Sequence, residues 1–106
     1  TAEDGHAEGR IEMREELSWN QDRQMAHGGV TFTLADTVGG AALVSLNDQP
    51  VPTVDMRIDY LSAGTGDLYA EADVVRNGSD VGVVDVSVYD EDADELADAR
   101  GVYKTG

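Results

Sequence analysis

Cysteine is absent from the 106 residues, so neither a disulfide framework nor a thiol nucleophile is available. Lysine occurs once, at Lys104; the other six bases are arginines, set against 22 acids for a formal net charge of −15. Such a surface repels polyanions, so no nucleic acid and no membrane surface is expected as a partner. Histidine occurs only at His6 and His27, and no Gly-x-Ser-x-Gly pattern is present, which leaves no serine triad to consider. No apolar run approaches the roughly 20 residues of a membrane span, and no signal-peptide pattern opens the chain. A soluble, cytoplasmic protein is therefore expected. A G-x-G-x-x-G fingerprint following a strand is lacking, so dinucleotide binding has no support. The acidic run Asp90–Glu95 does not complete a calcium loop, because Glu95 stands where glycine is needed and Gly101 where glutamate is needed. Neither a metal nor a cofactor is implied.

Excess carboxylate with scarce lysine has a physical consequence. Self-repulsion destabilises the compact state at low ionic strength, and at about 1 M salt the Debye length falls to roughly 3 Å and most of the penalty disappears. The composition points to a halophile's cytoplasm. At this length one domain is expected, small enough that oligomerisation would help bury its apolar surface.

The most informative stretch is His27–Leu46. From Val30 to Leu46 it reads as a helix with one ionisable residue, Asp36. A helix apolar nearly all round is a buried helix. A carboxylate in its middle must be paired, hydrogen-bonded or protonated, and such groups are kept for function or for a buried polar network. Upstream, His27, Gly28 and Gly29 mark the helix start, where free amides point outward and suit developing negative charge. An acid beside an anion-stabilising helix start suggests acyl-transfer chemistry. Gly39 and Gly40 in the helix interior cost about 1 kcal/mol each relative to alanine, tolerable where another backbone approaches closely.

Residues 1–9, His6 among them, read as a polar, flexible tail preceding a single domain over 10–106. Arg10 to Leu17 alternates as a first strand, and Ser18 to Ala26 is a polar loop. Beyond the helix, Val54, Met56, Ile58 and Tyr60 share one strand face, with Thr53, Asp55, Arg57 and Asp59 on the other. Leu68–Val74, Val81–Tyr89 and Leu96–Lys104 supply three more strands, with a hairpin signal at Asn77-Gly78 and an acidic turn at Asp90–Glu95. Strand, helix, then four strands joined by short turns predicts an α+β architecture, an antiparallel β-sheet wrapped around one long central helix. This is the hot-dog fold.

The motifs carry the likeness further. His27-Gly28-Gly29 followed by Leu34-Ala35-Asp36-Thr37 resembles the signature of the phenylacetate-pathway class of hot-dog thioesterases, which hydrolyse acyl-coenzyme A. Thr53–Leu61 looks like that family's second strand, and Arg76-Asn77-Gly78 like its third hairpin. The resemblance spans about residues 10–105. It implies that Asp36 is the catalytic carboxylate, acting as base or nucleophile, and that Gly28 or Gly29 supplies the amide polarising the thioester carbonyl. It further implies that His27 shapes the helix start and that Thr53 helps hold the attacking water. The family's asparagine six residues before the histidine is Gln21 here, with Asn20 one residue early; either could meet the carbonyl. Arg57, Arg76, Asn77 and Gly78 are candidates to meet coenzyme A, which is substrate rather than cofactor. A homodimer or homotetramer is implied, with each site shared between two subunits. A non-catalytic acyl-CoA sensor and a hydratase on the same scaffold are the competing readings.

Overall fold

The computed structural model describes residues 1–14, 17–20, 25–26, 28–64 and 66–106, with backbone alone for 18–20 and 25–26. The elements in chain order are β1 (Ala2–Glu3), β2 (His6–Ile11), β3 (Ser18–Asn20), β4 (Met25–Ala26), α1 (Gly28–Asn47), β5 (Thr53–Tyr60), β6 (Leu68–Asn77), β7 (Val81–Tyr89) and β8 (Glu95–Lys104). Six of the strands form one antiparallel sheet in the order β1-β2-β6-β7-β8-β5, while β3 and β4 pair separately just before the helix.

The alternation that predicts the strands also sets which face α1 covers. Along β7, Gly82, Val84, Val86 and Val88 point inward and are buried, with Asp85 exposed on the outer face. On β6 and β8 the inward positions include Ala70, Ala72, Ala97 and Ala99, small enough for the helix to lie close. Leu34, Ala35, Val38, Ala42 and Leu43 of α1 complete this core. Each fully buried leucine or valine contributes about 1.5–3 kcal/mol. Leu43 seats over Gly82, where an added Cβ would lie 2.7 Å from Leu43 Cδ2.

Five expectations change. The first strand expected over Arg10 to Leu17 shares only Arg10 and Ile11 with the observed β2, His6–Ile11. Residues 1–9 carry a hairpin rather than a tail: Asp4 (φ 52°) and Gly5 (φ 82°) form a two-residue turn, and β2 pairs with β6 from His6 to Ile11. The inward side chains there are the small Ala7 and the glycine Gly9, which is why hydrophobic periodicity does not reveal the strand, although Asp-Gly is itself a hairpin signal. The loop Ser18–Ala26 contains the short β3–β4 pair. The helix is buried on one face only, with Gly28, Gly29, Thr33, Thr37, Val44 and Leu46 exposed. It is also long and apolar enough, by length and composition, to cross a bilayer, contrary to the reading that no segment approaches that length. In this fold its inward side chains are spent on the sheet instead.

Candidate active site

Asp36 lies on α1 at the border between its buried and open faces and is half-buried. It lines an open groove of about 570 Å³ together with Thr37, Gly40, Ala41, Val44, Val51 and Thr53. Full burial of the carboxylate, expected from the apolar helix, is not what the chain shows. The residues outward of Asp36 are apolar but small, and they leave the groove open.

Thr53 donates its Oγ1 hydrogen to Asp36 Oδ1 at 2.7 Å. Strict alternation places Thr53 on the outer face with Asp55 and Arg57, so this contact needs a local departure. The register supplies it: Thr53 pairs with Tyr103 and Asp55 with Val102, a β-bulge between them. One extra residue in a strand reverses the side-chain direction beyond it, and here that turns Thr53 toward the helix.

Tyr103, buried on β8, holds the same turn of α1 from beneath. Its hydroxyl donates to the Asp36 backbone carbonyl at 2.8 Å. Burial pushes its phenol well above the usual range, and the negative charge of Asp36 adds to that, so Tyr103 remains a neutral donor. Its ring fills the notch left by the paired glycines. A Cβ on Gly39 would lie 2.6 Å from the Tyr103 hydroxyl, and one on Gly40 3.4 Å from Cε2. The glycines therefore accommodate a side chain, not the approaching backbone that the sequence suggests. Sequence reasoning passes over Tyr103, and the only signal for it was the glycine pair itself.

At the other end, Gly28 and Gly29 open α1 and are exposed. The Tyr60 hydroxyl donates to the Gly28 carbonyl at 2.8 Å. Beside Gly29 a recess of about 500 Å³ is lined by Ile11, Arg14, Leu17, Val30 and Thr33. Arg14 is a cation near the helix start that the sequence pattern does not single out. Gly29 and Asp36 stand seven residues apart on one helix, a rise of about 10 Å. A carbonyl polarised by an amide must have its oxygen about 3 Å from that donor.

The remaining candidates are dispersed. Arg57 lies on the outer face of the sheet, paired with Asp59 at 3.4 Å, and is not brought to the Asp36 side. Arg76 and Gly78 line a separate recess at the β6–β7 hairpin. Asn77 accepts a hydrogen bond from Asn47 at the far end of α1, 11 residues beyond Asp36 or about 16 Å along the axis. That hairpin is longer than the Asn-Gly signal suggests: Asn77 pairs with Gly82, and Thr105 caps the Gly78 carbonyl at 2.6 Å. Gln21, His27 and the side chain of Asn20 lie outside the described residues.

Comparison with known proteins places this arrangement. The family model described as thioesterase superfamily matches residues 24–97. A Halobacterium salinarum protein carrying an esterase designation is 39% identical, the match covering 97% of this chain and 76% of that one. The medium/long-chain acyl-CoA thioesterase YigI of Salmonella typhimurium is 27% identical over 82% of this chain and 66% of its own length. Among solved structures, a Streptococcus mutans protein bound to acetyl CoA superposes with a TM-score of 0.88 at 30% identity, covering all of this chain and 85% of that one. The PaaI protein of the Escherichia coli phenylacetic acid degradation operon superposes at 0.86 with 27% identity, over 97% of this chain and 74% of that one. With its single long helix on a six-stranded antiparallel sheet, the chain has the hot-dog fold and belongs to the thioesterase superfamily.

Proposed function

We propose that this chain hydrolyses acyl-coenzyme A thioesters, with Asp36 as the water-activating base. The observation that carries the reading is the Thr53–Asp36 hydrogen bond at the rim of an open groove. Thr53 holds one carboxylate oxygen, and the other is assigned to the attacking water. Asp36 takes a proton from that water as its oxygen adds to the thioester carbonyl carbon. Collapse of the tetrahedral intermediate breaks the C–S bond, and the coenzyme A thiolate takes the proton back. Negative charge on the carbonyl oxygen is met by a helix-start amide at Gly28 or Gly29, where the helix dipole favours it. Acyl-CoA as the substrate class is supported by the activity named for the Salmonella relative and by the acetyl CoA bound to the Streptococcus mutans neighbour.

The separation of about 10 Å between Gly29 and Asp36 along α1 is compatible with a site shared between two copies, which the family resemblance implies. In this reading a second copy supplies the helix start that faces Asp36, as a two-fold homodimer does at both of its sites. The open face of α1 and the β5 edge, with Val44, Val54, Tyr60 and Leu61 exposed, provide the surface for it. The charge fits a high-salt cytoplasm. Across the outer sheet face Asp59 stands opposite Asp98 and Glu8 opposite Glu71, like charges that added salt screens.

The test is thiol release from a panel of acyl-CoAs in concentrated salt, for the wild type, Asp36→Asn and Gly29→Pro. Asp36→Asn is expected to lose at least about 10²-fold in turnover, and Gly29→Pro to lose as much where its N–H, rather than that of Gly28, is the donor. Proline is tolerated in the first turn, and nothing lies within 4 Å of an added Cβ at Gly29, so that change removes an N–H with little else. Mixing the two inactive variants is expected to restore about a quarter of wild-type activity, one intact site in each mixed dimer. Wild-type binding without release would instead make this fold a sensor of acyl-CoA.

A further inference from the structure

The recess of about 500 Å³ that flanks the start of α1 has apolar walls at Ile11, Leu17 and Val30. One charged side chain lines it among the described residues, the exposed Arg14. Arg10, Arg57 and Arg100 are each spent on a carboxylate of their own chain, whereas Arg14 forms no ion pair among the described residues. In the site proposed above the thioester carbonyl lies at the helix start, so one arm of the substrate lies beside this recess. The coenzyme A arm has another path. The groove at Asp36 continues along α1 past Val44 to Asp48, and Asn47 there bonds to Asn77, next to Arg76 on the β6–β7 hairpin. A long arm ending in phosphates fits that direction, which leaves the recess to the acyl group.

We infer that the recess is the acyl subsite and that Arg14 selects acyl groups whose far end carries a carboxylate. The inference rests on the thioesterase reading above and names its substrate class. The apolar walls take the methylene stem, which gains by leaving water. A carboxylate brought against the same walls loses hydration without return unless a cation meets it. The guanidinium offers two parallel N–H donors matched to the two carboxylate oxygens, and beside apolar walls their attraction is screened less than in open water. On a chain of net charge −15 an extra negative charge on the substrate is otherwise a disadvantage, so a preference for it requires a local cation. The phosphates of coenzyme A do not compete for Arg14, because the pantetheine arm holds them away from the thioester.

The test compares adipoyl-CoA with hexanoyl-CoA, whose acyl groups have equal length and differ in the terminal carboxylate. Acetyl-CoA serves as the substrate too short to fill the recess. Thiol release is measured for the wild type, Arg14→Gln and Leu17→Trp at one salt concentration, since salt screens the pair. Arg14→Gln is expected to lower kcat/KM for adipoyl-CoA about 10-fold and to leave hexanoyl-CoA and acetyl-CoA unchanged. Leu17→Trp, which fills the recess, should lower kcat/KM for both longer substrates about 10-fold and spare acetyl-CoA. Equal losses for adipoyl-CoA and hexanoyl-CoA in Arg14→Gln would assign the guanidinium to the pantetheine amides common to both and overturn the selectivity. No loss in either, or a wild type that cleaves hexanoyl-CoA and not adipoyl-CoA, would overturn it as well. Acetyl-CoA turnover falling with the others in Leu17→Trp would overturn the subsite. All of these leave the thioesterase reading intact. A wild type that releases no thiol from any acyl-CoA would overturn that reading, and the role of Arg14 with it.

Discussion

Toward the sheet, α1 presents Leu34, Val38 and Leu43, none more than 5% exposed. Away from it, the same helix presents Thr33, Thr37, Gly40, Ala41 and Val44, of which Val44 is 38% exposed. Both faces are poor in charge, and composition averaged along the helix does not separate them. Side-chain volume does. Large residues inward close a core with the valines of β7, while small ones outward leave a groove, and Asp36 stands at the line between the two. An apolar helix surface can thus be a structural face on one side and a working face on the other.

The sharpest way to break this contrast is to truncate one residue on each face. Leu43→Ala, which empties a fully buried position, is expected to cost about 3 kcal/mol. Val44→Ala, its immediate neighbour on the open face, should cost under about 0.5 kcal/mol. Denaturant midpoints at unchanged m-value measure both. A Val44→Ala cost that grows with protein concentration would show the open face covered in an assembly.

The glycine pair offers a smaller and more pointed comparison. Gly39→Ala places a Cβ 2.6 Å from the Tyr103 hydroxyl and 3.2 Å from Val86 Cγ2, so it should destabilise by about 1–2 kcal/mol even after its gain in helix propensity. Gly40→Ala meets Tyr103 at an ordinary 3.4 Å and should stabilise by up to about 1 kcal/mol. Thermal melts of the two variants should move in opposite directions, and movement in the same direction would empty the proposed Tyr103 notch.

The smallest effect is expected at the sheet edge that closes the inward face, where His6 ties β2 to β6. A hydrogen bond to the Asp73 carboxylate, 2.7 Å from Nδ1, raises the His6 pKa above 6.5, and Glu8 adds to it. Folding then favours the protonated ring. The stabilisation is full below the unfolded value near 6.5 and is lost as pH rises through the raised folded value. His6→Gln should lower the melting temperature slightly on the acid side of that window and leave it unchanged on the alkaline side.

Much of the fold was legible in advance because its signals are local. Period-two alternation located β7 to the residue and β8 within one, and the lone acid in an apolar stretch marked α1 and Asp36. Where inward residues were alanine or glycine, as at Ala7 and Gly9, the pattern was silent, since periodicity registers only side chains large enough to stand out. Thr53 shows the same limit in reverse. Alternation read alone turned it outward, the likeness to known thioesterases gave it a hydroxyl role toward the attacking water, and only the structure shows it bound to the acid. The bulge that reconciles the two depends on how β5 pairs with β8, which no residue within β5 specifies.

By itself the sequence determined the order of elements, the isolation of Asp36 and the glycine start of α1, because propensity, period and composition act over a few neighbouring residues. Tertiary structure alone decided that Tyr103, 67 positions away, would brace the Asp36 backbone, that Thr53 would bind its carboxylate, and that Tyr60 would reach Gly28. Each of these is a hydrogen bond between distant segments. Its geometry exists only once the sheet has brought those segments to the helix.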